Sequence, residues 1–176
     1  MSQTTLDIRE PGLNVLPPGV ERHVVNAGGL TGLQVYPDDE IEIINDEGNQ
    51  ICEIVCFDKD GKSELGILNQ KENSKKSFIK EILNRKDESS LVTNLQLKKR
   101  NLDINKSKSS ILFDDKTPSG EKIKIKSKDK CYVIFSAPQN DMLVSEQNPS
   151  SDLTIFIKRA KIVNDKELSI IPDPVY

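Results

Sequence analysis

From Val20 onward the chain is a succession of short apolar segments cut apart by turn residues, and that rhythm constrains the fold more than any other feature. Val20 to Asn26 reads as a strand closed by Ala27-Gly28-Gly29, and Thr31 to Tyr36 as a second strand ending at Pro37-Asp38-Asp39, where proline's fixed φ suits the first corner of a turn. Glu40 to Asn45 alternates acidic and apolar residues, which sends Ile41 and Ile43 to the core. Gln50 to Phe57 is the strongest strand signal, ending at Asp58-Lys59-Asp60-Gly61. Ile111 to Phe113, Glu121 to Lys126, Cys131 to Ser136 and Asp152 to Arg159 continue the series, with Ile123 and Ile125 inward and Lys122, Lys124 and Lys126 outward.

The rhythm changes once. Ser74 to Arg85 spaces Phe78, Ile79, Ile82 and Leu83 helically behind Asn73 or Ser74 as N-cap, and Asp87 or Ser89 caps a second helix through Leu91, Val92 and Leu95 to about Lys99. The run of short strands has the signature of a meander or barrel rather than of βαβ units, and the expected architecture is mainly β (α+β): a distorted β-barrel or sandwich with two short inserted helices over about 74–100. Residues 1–19 form an N-terminal arm ending in Pro17-Pro18-Gly19, 20–171 a single β-rich domain, and 172–176 a linker-like end through Pro172 and Pro174.

Composition narrows the function classes. The chain carries 25 basic and 28 acidic residues, and tryptophan is absent, so it lacks both the charge and the stacking surfaces that single-stranded nucleic acids require. Charge is nevertheless uneven: nine acidic residues lie between Thr31 and Gly61 against Lys59 alone, whereas Lys71 to Arg100 holds nine basic residues against four acidic ones. An acidic sheet region beside basic helices suits docking or self-association. No segment approaches the roughly 20 apolar residues of a membrane helix. The start is polar and the cysteines are three, which together favour a reducing cytoplasm.

The chemically able residues are few. Cys52 and Cys56 share a strand face about 13 Å apart, too far to hold one ion between them, and with Cys131 they read as small buried hydrophobes. His23 is the single histidine, and any Ser-His-Asp or Cys-His site has to use it. A metal centre would have to assemble His23, Cys52, Cys56 and Cys131 from scattered positions. Gly28-Gly29-Leu30-Thr31-Gly32 lacks the lysine of a phosphate loop and reads as hairpin glycine. Asp38, Asp39, Glu40 and Glu42 lack the calcium-loop pattern and read as exposed turn carboxylates. The loop Gln139-Asn140-Asp141, projecting from a strand end, is the most site-like segment and the candidate for ligand binding.

Two stretches carry a resemblance. Asp39 to Phe57, with its acidic-Gly-x-Gln turn leading into a strand that ends in an aromatic residue, resembles a hairpin of the urea carboxylase-associated family, and Lys128 to Asp141 followed by Asn148-Pro149 resembles that family's second signature. The opening Pro17 to Val25, the Gly28-Gly29 turn, the inserted helices and the exit through Pro172-Asp173-Pro174 are most similar to the N-terminal module of long aminomethyltransferases that carry a glycine-cleavage T-protein-like folate domain. The resemblance implies a non-catalytic accessory domain of a folate-dependent aminomethyltransferase or N-demethylase. Tetrahydrofolate would be bound outside this chain, and a downstream folate domain or a partner subunit would be the docking partner. The alternative is a small metal-dependent amidohydrolase or deiminase. The middle region departs from the stand-alone family members, since basic helices stand where a His-Asp and cysteine motif is expected.

Overall fold

The computed structural model describes residues 16–74, 77–85, 87–139 and 150–161. In chain order the elements are β1 (Val20–Val25), β2 (Leu30–Val35), β3 (Glu40–Asn45), β4 (Cys52–Asp58), α1 (Phe78–Leu83), α2 (Glu88–Lys99), β5 (Ser109–Phe113), β6 (Glu121–Lys126), β7 (Cys131–Ser136) and β8 (Leu153–Lys158). Short 3-10 turns occupy Leu65–Leu68 and Ile104–Lys106. The strands form two four-stranded antiparallel sheets, ordered β1-β8-β3-β6 and β2-β7-β4-β5, and neither closes into a barrel. The fold is a sandwich-like α+β architecture. No helix among the described residues is long and apolar enough to cross a membrane.

The strand positions match the alternation of the sequence, and of the open alternatives the sandwich is found, the strands forming neither a meander nor a closed barrel. β1 and β2 lie in different sheets, as do β2 and β3, β3 and β4, and β6 and β7, so the chain crosses from sheet to sheet at nearly every turn. Among consecutive strands only β4 and β5 pair, and the helices lie between them in sequence. The glycines at 28 and 29 therefore serve a corner between sheets rather than a hairpin. There Gly29 N–H closes on the Asn26 carbonyl at 2.8 Å, with Gly28 at φ 77°. Similarly Asn45 to Gln50 turns from one sheet to the other, and Gly48 is required there. Its φ is 80°, and a β-carbon would come within 2.6 Å of the Ser119 backbone nitrogen.

Two cores result. Between the sheets lie Ile41, Ile43, Leu153, Ile155 and Ile157 of one and Val35, Ile54, Val133 and Phe135 of the other. The second core covers the outer face of the sheet containing β4 and β7, where Val55, Phe57 and Ile134 meet Ile79, Ile82 and Leu83 of α1 and Leu97 of α2. This is why β7 is buried at all six positions and β4 from Cys52 to Phe57: one face meets the other sheet, the opposite face meets the helices.

The helices are shorter or differently capped than expected in one case and as expected in the other. α1 begins at Phe78 with Ser77 as N-cap, not at Asn73 or Ser74, because the Ser77 hydroxyl is the group that accepts from the Lys80 N–H, at 3.2 Å. Asp87 caps α2, accepting from the Ser90 N–H at 2.9 Å. A buried carboxylate holds α1 in place. Glu53, on the helix-facing side of β4, accepts from the Phe78 N–H at 2.7 Å, the Ile79 N–H at 3.1 Å and the Ser77 hydroxyl at 3.3 Å. It thereby satisfies donors that a helix start leaves unpaired.

Burial pushes the Glu53 carboxyl up, against those three bonds, which favour its charged form. Because the folded value lies above the free one, its contribution to stability is complete at low pH and falls as pH rises through the folded value. Glu53→Ala is expected to lower unfolding free energy by about 2–4 kcal/mol, since buried N–H groups lose their acceptor. It should also remove this group's share of the decline above pH 4.5, the ordinary value. Urea titrations of both proteins across that range measure the two effects.

Candidate functional site

The residues singled out for chemistry occupy three separate places. Cys52, Cys56 and Cys131 all lie in the core between the sheets, fully buried and unpaired as disulfides. Cys56 faces Val133 across the β4–β7 ladder, which sets Cys131 diagonally beside it on the same face. The hydrogen bond with Cys131 and burial both push the Cys56 thiol up, while Cys131 is drawn down by accepting from Cys56 and by its contact with the Ser127 hydroxyl at 3.6 Å. Burial pushes Cys52 up as well. His23 stands apart on β1, its Nε2 3.0 Å from Glu21 Oε1. Among the described residues no three of His, Cys, Asp and Glu form a metal-holding group.

Of the ligand-loop candidates, Gln139 is exposed and its side chain lies over Gly28, while Asn140 and Asp141 lie outside the described residues. The described ends of that loop are moored by a residue assigned no role from the sequence. Gln50 is fully buried; its Nε2 donates to the Pro138 carbonyl at 2.8 Å and its Oε1 accepts from the Ser151 N–H at 2.8 Å. Asn45 Nδ2 in turn donates to the Gln50 carbonyl at 2.8 Å. The only hint in the sequence was a glutamine immediately after a turn and before an apolar run.

A cleft of about 600 Å³ opens between the β1–β2 corner and α2. His23, Thr31, Asp87, Ser89, Gln96 and Tyr132 line it, with the Gly28-Gly29 backbone at one end. Tyr132 separates this cleft from a second of about 300 Å³ bordered by Asp58, Lys59, Arg100 and Lys130. Gly32 makes room for the phenol, because a β-carbon there would collide with the Tyr132 hydroxyl. The Arg100 guanidinium lies 4.5 Å above the Tyr132 ring and donates to Gln34 Oε1 at 2.8 Å. Burial pushes the Tyr132 phenol up, with Arg100 opposing it. The larger cleft offers hydrogen-bonding groups and an acidic rim, and its lining contains no thiol.

The strongest polar cluster is a corner joint. Asp39, expected as an exposed turn carboxylate, is only 2% exposed. The type II geometry of Tyr36 to Asp39, with Asp38 at φ 69°, turns its side chain inward to accept from the Tyr36 N–H at 2.9 Å, the Ala160 N–H at 2.9 Å and Arg159 at 2.8 Å. Arg159 also forks onto both oxygens of Glu21, at 2.6 and 3.0 Å. Burial raises Glu21, but the bonds from His23 and Arg159 outweigh it and hold the carboxyl at about 2. The joint ties β1, the β2–β3 turn and the end of β8 together.

Fold and site define a two-sheet module with a helical outer layer, whose thiols are interior and whose imidazole is hydrogen-bonded to Glu21 at the wall of the larger cleft. No protein-family profile matches the chain. It is 32% identical over 168 residues to the trimethylamine-oxide aldolase of Ruegeria pomeroyi, a match that covers 96% of this chain and 21% of that protein. The chain thus spans about a fifth of the larger enzyme it resembles.

Arg159→Met leaves Asp39 buried without its cation and is expected to cost about 3–5 kcal/mol. Glu21 has its folded value below the free one, so its contribution is present above pH 4.5 and is lost as pH falls towards about 2. Glu21→Gln should therefore flatten the acid side of the stability profile, read from urea midpoints in that window.

Proposed function

We propose that this chain is a non-catalytic accessory module of a larger folate-dependent enzyme of the aminomethyltransferase or N-demethylase type. The observation that carries the reading is the match of 96% of the chain to a 21% stretch of an enzyme named for its action on trimethylamine oxide. The burial of all three thiols in the inter-sheet core supports it, because a thiol closed off from solvent cannot reach a substrate. So does the separation of His23 from them. The resemblance of Asp39 to Phe57 and of Lys128 onward to the urea carboxylase-associated family belongs to the same reading, as a copy without the stand-alone members' middle motif.

Tetrahydrofolate suits another domain. The larger cleft has Asp87 and Glu88 in its lining, and these repel the carboxylates of a folate's glutamate tail. The module's work is then mechanical: it packs against a catalytic domain or a partner subunit and shapes access to the reacting centre.

The test uses the Ruegeria enzyme and a chimaera. Deleting the stretch that matches this chain should reduce turnover or disrupt assembly at least tenfold, and putting this chain in its place should restore most of what is lost. A truncated enzyme with full activity and unchanged assembly would reject the reading.

A further inference from the structure

α2 turns its inner face the opposite way from what its apolar residues suggest. Ser90, Thr93 and Leu97 pack inward, whereas Leu91 is 54% exposed and Leu95 65% exposed, the most exposed large apolar side chains among the described residues. They belong to one outward stripe. Glu88, Leu91, Leu95 and Lys98 follow the i, i+3, i+7, i+10 spacing of a coiled-coil seam, and all four are exposed. Neither Glu88 nor Lys98 is engaged in an ion pair among the described residues.

The stripe is self-complementary. Glu88 and Lys98 lie at equal distances on either side of Thr93, and so do Leu91 and Leu95. Turned end for end about that midpoint, the helix presents leucine to leucine and acid to base. An unrelated partner surface would impose no such symmetry on the stripe, whereas a two-fold contact requires it, because each copy offers the same patch to the other. The antiparallel arrangement also sets each helix's acidic first turn against the other's basic last turn. With a net charge of −3, two copies repel each other little.

We propose that α2 pairs antiparallel with α2 of a second copy of this chain, Leu91 of each against Leu95 of the other and Glu88 of each against Lys98 of the other. The inference is independent of the accessory-module reading, since it rests on the stripe alone. A helix of 12 residues is about 18 Å long, so the contact falls well short of the roughly 800 Å² per partner of a stable interface. The dimer is accordingly weak, with Kd on the order of 100 µM.

Sedimentation equilibrium of the 176-residue chain over a wide concentration range tests the pairing. The expected result is a monomer–dimer equilibrium that weakens when salt is raised. Glu88→Lys and Lys98→Glu should each weaken it at least tenfold, with the far-UV circular dichroism unchanged. An equimolar mixture of the two single variants should associate again, as heterodimers, and the double variant E88K/K98E should associate as the native chain does. Leu95→Glu should abolish pairing in every background. A chain that stays monomeric at all concentrations, or a dimer indifferent to these substitutions, overturns the proposal. So does a loss of association in the single variants that neither mixing nor the double exchange repairs.

Discussion

Burial of β4 and β7 on both faces is the constraint from which the rest of the structure follows. A sheet whose central strands carry Ile54, Cys56, Val133 and Phe135 on one side and Val55, Phe57, Tyr132 and Ile134 on the other cannot leave either side to water. The second sheet covers one face and α1 with α2 covers the other. Glu53 is the polar exception within that apolar setting, and its position explains its presence. A six-residue helix has almost no stability of its own, so its start must be fixed from outside. A carboxylate on β4 does this with three hydrogen bonds that offset much of the cost of burying it.

The same layering separates the molecule's reactive groups. Thiols on the inward face of β4 and β7 meet the other sheet, where burial keeps them from solvent, while the histidine of β1 is hydrogen-bonded to Glu21 of the polar joint. Among the described residues, the helical layer and the cleft beside it present both apolar and hydrogen-bonding groups to solvent. Tyr132 links the two, because it belongs to the buried sheet, packs under Arg100 and borders both clefts. Through Arg100, which ends α2, the helical layer meets the Tyr132 ring.

Much of this was legible in the residues and some was not, for physical reasons. Alternation located β3 and β6 to the residue, and the unbroken apolar run located β7, since period and burial are local properties. Pairing is not local. Ile41 and Ile43 announce a buried face without saying that β8 and β6, rather than β4, lie beside them, so correctly placed strands left open which of them pair. Asp39 looked like any turn carboxylate because its partner Arg159 is far along the chain. Glu53 and Gln50 were hidden in the same way by partners distant in sequence. The separation of His23 from the thiols could be anticipated only from their scatter. In α2 the apolar residues were found, but their outward direction depends on which side α1 and β2 occupy.

Hydrogen exchange at the α1 and α2 amides, compared between the native chain and Glu53→Ala, tests most directly whether the helical layer hangs on that one buried carboxylate. Phe78 and Ile79 are expected to lose protection first and α1 to open together with the outer face of β4, while β1, β3 and β8 keep theirs. Uniform acceleration across both sheets, or no change at α1, would contradict it.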